Sequence, residues 1–250
     1  MPGSHIEVQT PDGEANAYLS VPPDAPAPGV LFIMDAFGLR PRIEQMADRI
    51  AQRGYTVLAP NVFYRAGRSP VPDSPDLSTP EARTAFFAEL QPLMGALTPE
   101  AVAHDGRAYF GKLAELAPGP VGITGYCMGV RLAIVAACSA PERVAALAGF
   151  HGGRLVTDDP ASPHRLVGSL QGELYFGHAD NDASMTPENI AELERALDAA
   201  GVAYRSELYA GAAHGYTMSD TAAYDDAACE RHFRELFSLL ERRLQAAEPD

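Results

Sequence analysis

A chain of 250 residues, 46% of them hydrophobic, is long enough to bury one large core, and no break in composition divides it, so a single domain over 1–250 is expected. The formal net charge is −14 and Lys112 is the only lysine, a balance that argues against nucleic acid and anionic membrane as partners and repels anionic substrates unless an arginine counters it locally. Cys127, Cys138 and Cys229 cannot all pair and fit no zinc spacing, no apolar stretch is long enough to span a membrane, and residues 1–5 lead into no apolar run. A cytoplasmic monomer or small homo-oligomer without metal or cofactor is therefore expected.

In chain order, residues 5–9 and 15–21 read as an opening pair of strands around the turn Pro11-Asp12-Gly13. Residues 29–34 are a continuous apolar run, as in a strand covered on both faces. A helix over 41–52 ends before Gly54, and 55–59 is the next buried strand. Residues 66–79 are rich in Pro, Ser, Asp and Gly and read as a loop. Thr79-Pro80-Glu81 and Thr98-Pro99-Glu100 each start a helix with a capping Thr and Pro in the first turn, the second running to about 116. Then come a strand at 121–124, a helix at 128–140, and strands at 144–150 and 173–176. A helix capped at Thr186 runs to about 200, a last strand covers 204–209, and a long amphipathic helix covers 221–244. This alternation predicts an α/β fold with a mostly parallel sheet and helices on both faces, whose chemistry gathers where strands end.

Gly125-Tyr126-Cys127-Met128-Gly129 joins the strand at 121–124 to the next helix. Gly-x-nucleophile-x-Gly is the strand-to-helix elbow of α/β-hydrolases, with Cys where Ser is usual. Glycine on each side removes side chains that would collide with the neighbouring strand and helix. A buried thiol opening a core helix would look similar, since free Cys is commonly a small hydrophobe. The downstream residues decide between them. A thiol nucleophile needs a base, and the base an orienting carboxylate. His214, bracketed by small residues just past the last strand, is the base candidate. Asp182 is preferred over Asp180 as the acid after the strand at 173–176. The N–H groups of Met128 and Ala36 are candidates to hold an oxyanion. Asp35 ends a buried strand, a costly place for a carboxylate, and is expected near Cys127.

With these residues in order, the chain resembles the dienelactone hydrolase (carboxymethylenebutenolidase) family over about residues 5–245. The resemblance rests on the Cys elbow, the Asp35-Ala36-Phe37-Gly38 segment, Asp182 and Ala213-His214-Gly215. It implies an α/β-hydrolase fold, a Cys127–His214–Asp182 triad, and attack of sulfur on a small-molecule ester or lactone through a thioester freed by water. It also implies that Asp35 contacts the resting thiol and helps to form the thiolate. Two positions depart from the family's best-studied members: Asp35 replaces Glu, and Met218 replaces an arginine that binds the substrate carboxylate. Arg83 is a candidate for a second family arginine, Arg154 for an anion contact from another loop, and His151 and Tyr126 for the pocket wall. Met185 and Met218 in place of cations suggest an alternative, a general carboxylesterase for neutral esters. A reading of another class is a non-catalytic thiol module for binding or redox sensing, against which the presence of all three triad positions speaks.

Overall fold

The computed structural model describes residues 2–71, 79–117 and 119–245. Its elements are β1 (Ser4–Thr10), β2 (Gly13–Ser20), β3 (Gly29–Ile33), α1 (Pro41–Ala51), β4 (Thr56–Pro60), α2 (Pro80–Gly95), α3 (Pro99–Leu116) and β5 (Val121–Tyr126). There follow α4 (Met128–Ser139), β6 (Val144–Phe150), the single-turn α5 (Pro163–Leu166), β7 (Glu173–Asn181), α6 (Pro187–Ala200), β8 (Tyr204–Ala213) and α7 (Asp226–Leu240). The strands form one sheet in the order β1-β2-β4-β3-β5-β6-β7-β8. The β1–β2 hairpin and the β2–β4 pair are antiparallel, and every pair from β4 through β8 is parallel.

The apolar runs become the centre of this sheet. All residues of β3, β4 and β5 are buried, as expected of strands covered on both faces. Successive side chains of a strand point to opposite faces, and the glycines show what lies on each. Gly29 of β3 faces Leu113 of α3, whereas Gly122, which pairs with the next residue Val30, faces Leu240 at the end of α7. Each layer is closed by a helix pair. Gly106 of α3 lies against Ala136 of α4, and Arg49 of α1 pairs with Glu230 of α7 while stacking on Phe233. In α1 the buried residues Ile43, Met46, Ala47 and Ile50 repeat at helical spacing and form one inward stripe.

The boundaries that bear on the site differ from the sequence reading in β7, β8 and the last helix. β7 continues past Phe176 to Asn181 and β8 past Tyr209 to Ala213, pairing as far as Asn181 with Ala213. Gly177 does not end the strand. It makes room, since a Cβ there would sit 2.8 Å from the Tyr216 hydroxyl. The last helix starts at Asp226 rather than 221, with Asp225 capping the Ala228 N–H at 2.9 Å. Residues ahead of it turn instead, because Asp225 N–H reaches back to the Tyr216 carbonyl at 3.1 Å and Asp220 is drawn to Arg40. Part of the predicted loop at 66–79, residues 72–78, lies outside the described residues.

Candidate active site

Cys127 occupies the bend between β5 and α4 with φ 54° and ψ −120°, a left-handed backbone that an L-residue adopts only under constraint. The constraint is visible on both sides. A Cβ on Gly125 would lie 2.6 Å from the Gly129 carbonyl oxygen, and one on Gly129 would meet the carbonyl oxygens of Ile33 and Met34. The start of α4 is thus pressed onto the end of β3, which only the two glycines permit. Cys127 N–H donates to the Phe150 carbonyl at 3.1 Å, and the half-buried thiol is left facing the ends of β7 and β8.

There it meets His214. Sγ of Cys127 lies 2.9 Å from Nε2 of His214, and Nδ1 of the same ring lies 2.6 Å from Oδ2 of Asp182. The extra length of β7 and β8 carries Asp182 and His214 to neighbouring positions at the sheet edge. Asp182 is braced in turn, its Oδ1 accepting the N–H of Ser184 at 2.8 Å and the hydroxyl of Ser184 at 2.6 Å. Burial pushes the Asp182 carboxyl up, but the hydrogen bonds from His214 and Ser184 outweigh it and hold it below the usual carboxylate range. Burial likewise opposes charge on His214. The hydrogen bonds to Asp182 and Cys127, and the negative charge of both, carry the imidazole up to about 10. Asp180 is placed elsewhere, accepting the Gly211 N–H at 2.8 Å on the exposed edge.

Asp35 departs from the sequence reading. Its carboxylate is 3% exposed, yet it does not bond to the thiol. Oδ1 and Oδ2 accept Arg40 Nη1 and Nη2 at 2.6 and 3.0 Å, and Oδ1 also accepts the Phe37 N–H at 3.0 Å. Arg40 reaches on to Asp220 at 2.6 Å, so one buried guanidinium ties the loop after β3 to the loop after His214. The physical reason is local: a carboxylate this deep needs a cation and N–H donors, and Arg40, five residues on, supplies them before the half-exposed thiol can. Ala36, between Asp35 and Phe37, is buried, and its N–H makes no hydrogen bond among the described residues. Met128 is the first residue of α4, so its N–H has no intrahelical acceptor. Replacing Arg40 with Met strands the buried Asp35 charge and is expected to cost about 3–5 kcal/mol in urea-induced unfolding. Adding Asp35→Asn to that variant is expected to restore part of the loss.

The remaining predicted residues divide. His151 is fully buried, its ring edge-on to His214 at 5.3 Å and its Nε2 2.7 Å from the Thr217 hydroxyl. Burial, reinforced by the nearby His214 and His232, holds it well below the usual imidazole range, so it packs beside His214 as a neutral ring. Tyr126 is fully buried, stacks on Phe32 at 4.7 Å and meets His232 Nε2 of α7 at 3.0 Å. Strand alternation turns it away from the thiol that follows it. Met185 and Met218 are 2% and 1% exposed and belong to the core, so neither presents an open apolar wall. Arg154 is exposed, and its N–H donates to the Ser184 carbonyl at 2.9 Å. Arg83 lies in α2, with its side chain outside the described residues. Sequence reasoning missed Ser184, Arg40, Thr217 and Asp220. Only Ser184 carries a local signal, an Asp-x-Ser turn in which the aspartate caps the N–H two residues on. Among the described residues no three His, Cys, Asp or Glu side chains gather to hold a metal, and no helix is long and apolar enough to cross a membrane.

A mostly parallel eight-stranded sheet with a strand–Cys–helix elbow, and with His and Asp delivered from later strands, defines the α/β-hydrolase fold. The crystal structure of a "Putative Dienelactone Hydrolase" from Klebsiella pneumoniae superposes with a TM-score of 0.83 at 20% identity, covering 96% of this chain and 98% of that one. The chain belongs to the dienelactone hydrolase family, whose model matches residues 15–244. Among curated relatives, a protein of Synechocystis sp. named "Putative carboxymethylenebutenolidase" is 26% identical over 224 residues, covering 87% of each chain. One of the same name from Yersinia pestis is 27% identical over 218 residues, covering 84% of this chain and 77% of that protein.

Proposed function

We propose that the protein hydrolyses ester or lactone bonds of small molecules, with Cys127 as nucleophile, His214 as acid and base, and Asp182 as the group that orients it. The observation that carries this reading is the continuous Sγ–Nε2 and Nδ1–Oδ2 chain of 2.9 and 2.6 Å. The imidazole is favoured in its charged form, and Nε2, 2.9 Å from Sγ, is placed to exchange a proton with sulfur. Sulfur then attacks the carbonyl carbon, and the electron pair displaced onto oxygen is received by the N–H groups of Met128 and Ala36. As the carbon–oxygen bond to the alcohol breaks, His214 Nε2 gives its proton to the departing oxygen. A thioester and a neutral imidazole remain.

Acylation itself prepares the second half. Sulfur loses its charge, and with it go two of the causes that raise His214. The neutral ring takes a proton from water, whose oxygen attacks the thioester. The acid leaves and the Cys127–His214 pair is restored. No cofactor enters these steps. Asp35 acts here through Arg40 and the Phe37 N–H, fixing the loop that carries Ala36. An activated ester such as p-nitrophenyl acetate tests the reading: intact-mass spectrometry of quenched turnover is expected to find one acyl adduct, mapped to Cys127. Turnover with the adduct on another residue, or with none at any quench time, contradicts it.

A further inference from the structure

His151 and Thr217 are fully buried and offer no surface to a substrate, and the hydrolytic scheme gives neither of them a step. Their side chains meet next to the base, Nε2 of His151 lying 2.7 Å from Oγ1 of Thr217. Nδ1 of His151 is buried without a hydrogen-bond partner among the described residues, so this one contact must compensate a desolvated imidazole. The backbone is strained as well. His151 directly follows β6 with φ 39°, a left-handed conformation uncommon for a residue with a side chain, and its N–H is fixed to the Gly177 carbonyl of β7 at 2.8 Å. An apolar pair of similar shape would leave no nitrogen unpaired, so packing alone does not account for these two residues.

What they touch is the base and the chain that carries it. The His151 ring stands edge-on to His214, with 5.3 Å between centroids, and edge-on to Tyr216 at 5.0 Å. Thr217, three residues past His214, is gripped from two elements. Its hydroxyl meets His151 at the end of β6, and its carbonyl accepts Nη2 of Arg42 from α1 at 2.5 Å. The chain between His214 and Thr217 turns tightly, with the Tyr216 N–H on the Ala213 carbonyl at 3.1 Å and the Met218 N–H on the Gly215 carbonyl at 2.9 Å. The imidazole of His214 thus has Cys127 and Asp182 at its two nitrogens, along the line of reaction, and His151 across it. Burial, with His214 and His232 nearby, keeps the His151 ring neutral, so it backs a charged imidazole without repelling it.

We infer that His151 and Thr217 are positioning residues for His214, their hydrogen bond holding the imidazole in line between Cys127 and Asp182. The inference rests on the hydrolytic reading, in which His214 serves both half-reactions, so a loosened ring lowers kcat and kcat/KM together. Thr217→Val removes the hydroxyl and little else, and is expected to lower both for p-nitrophenyl acetate by about 10- to 100-fold. Thr217→Ser keeps the hydroxyl and is expected to stay within about threefold of the wild type. Two readouts follow His214 itself. The alkaline limb of kcat/KM is expected to move down in Thr217→Val, since a displaced ring gains less from Asp182 and Cys127. The proton between Nδ1 of His214 and Oδ2 of Asp182, 2.6 Å apart, is expected as an NMR resonance downfield of the amides in the wild type and Thr217→Ser, and to be lost or shifted upfield in Thr217→Val. The double variant His151→Phe/Thr217→Val separates positioning from packing, because removing both polar partners restores stability without restoring alignment. Its unfolding midpoint is expected at or above that of Thr217→Val, with kcat/KM no higher. Wild-type kcat/KM in Thr217→Val, a loss that leaves the limb and the resonance unmoved, or recovery of activity in the double variant overturns the inference. Failure of the hydrolytic reading looks different, because no adduct then forms on Cys127. In that event the resonance, which needs no turnover, still decides: a change in Thr217→Val alone supports the positioning role, and none overturns it.

Discussion

Cys127→Ala is expected to lower kcat/KM for an activated ester by at least about 10⁴-fold with its unfolding midpoint within a few degrees of the wild type. The size follows from what alanine removes. The elbow, the N–H groups of Ala36 and Met128, and the His214–Asp182 pair all remain, so residual turnover measures only what they give to attack by water. Alanine fits the left-handed backbone no worse than cysteine, since both carry a single Cβ there. The same site is expected to be the first alkylated by iodoacetamide near neutral pH. Burial pushes the Cys138 thiol up to about 11 and also raises Cys229, which is 1% exposed, so both are poor competitors. Stoichiometric labelling at Cys127, slowed by substrate, is the expected pattern. An alanine variant with undiminished turnover removes the nucleophile from the scheme. Label lost there together with turnover separates it from a thiol that only senses or binds.

The fold was legible where one physical demand dominated a segment. The run of β3 is apolar without alternation because both faces are covered, and Thr-Pro-Glu starts α2, α3 and α6 because it satisfies N–H groups a helix cannot satisfy itself. The elbow was legible for the same reason, since backbone crowding at Gly125 and Gly129 admits no side chain. Long-range partners that belong to no motif were not legible. Nothing local says that Gly177 marks the close approach of Tyr216, that Asp220 and Asp35 share Arg40 across 180 residues of chain, or that Tyr126 turns toward His232. Asp35 shows how a position can be read correctly as costly and its partner misread: burial demands a counter-charge, and Arg40, five residues on, supplies it in place of the thiol across the sheet. The geometry of the ion pair favoured the arginine.

Asp182→Asn is expected to cost on the order of 10³-fold in kcat/KM near neutral pH and to move the alkaline limb of the profile down by more than one unit. The signs follow from the two folded-state shifts. His214 is raised to about 10, so the stabilisation of its charged form is fully present below the ordinary 6.5 and is lost as pH rises through about 10. Asp182 is lowered, so its contribution is present above the ordinary 3.8 and is lost only as pH falls through its depressed value. Between these limits the pair is charged. In the proposed scheme acylation needs the imidazolium to protonate the departing oxygen, so kcat/KM is expected to hold well above pH 7 and to decline near 10. Asparagine removes the foremost of the causes that raise His214 while leaving burial to lower it, and its amide can present an N–H to Nδ1, forcing the wrong tautomer. The limb therefore moves toward the ordinary imidazole range. In the same scheme deacylation needs neutral His214, so the acid limb of kcat in the wild type is expected to lie below the alkaline limb of kcat/KM. Asp180→Asn, which alters only the contact with the Gly211 N–H on the exposed edge, is the matched control and is expected to stay within about twofold with its limb unmoved. A profile that shifts in the Asp180 variant and not in the Asp182 variant would transfer the orienting role between the two carboxylates. One that shifts in neither would leave His214 raised by sulfur alone.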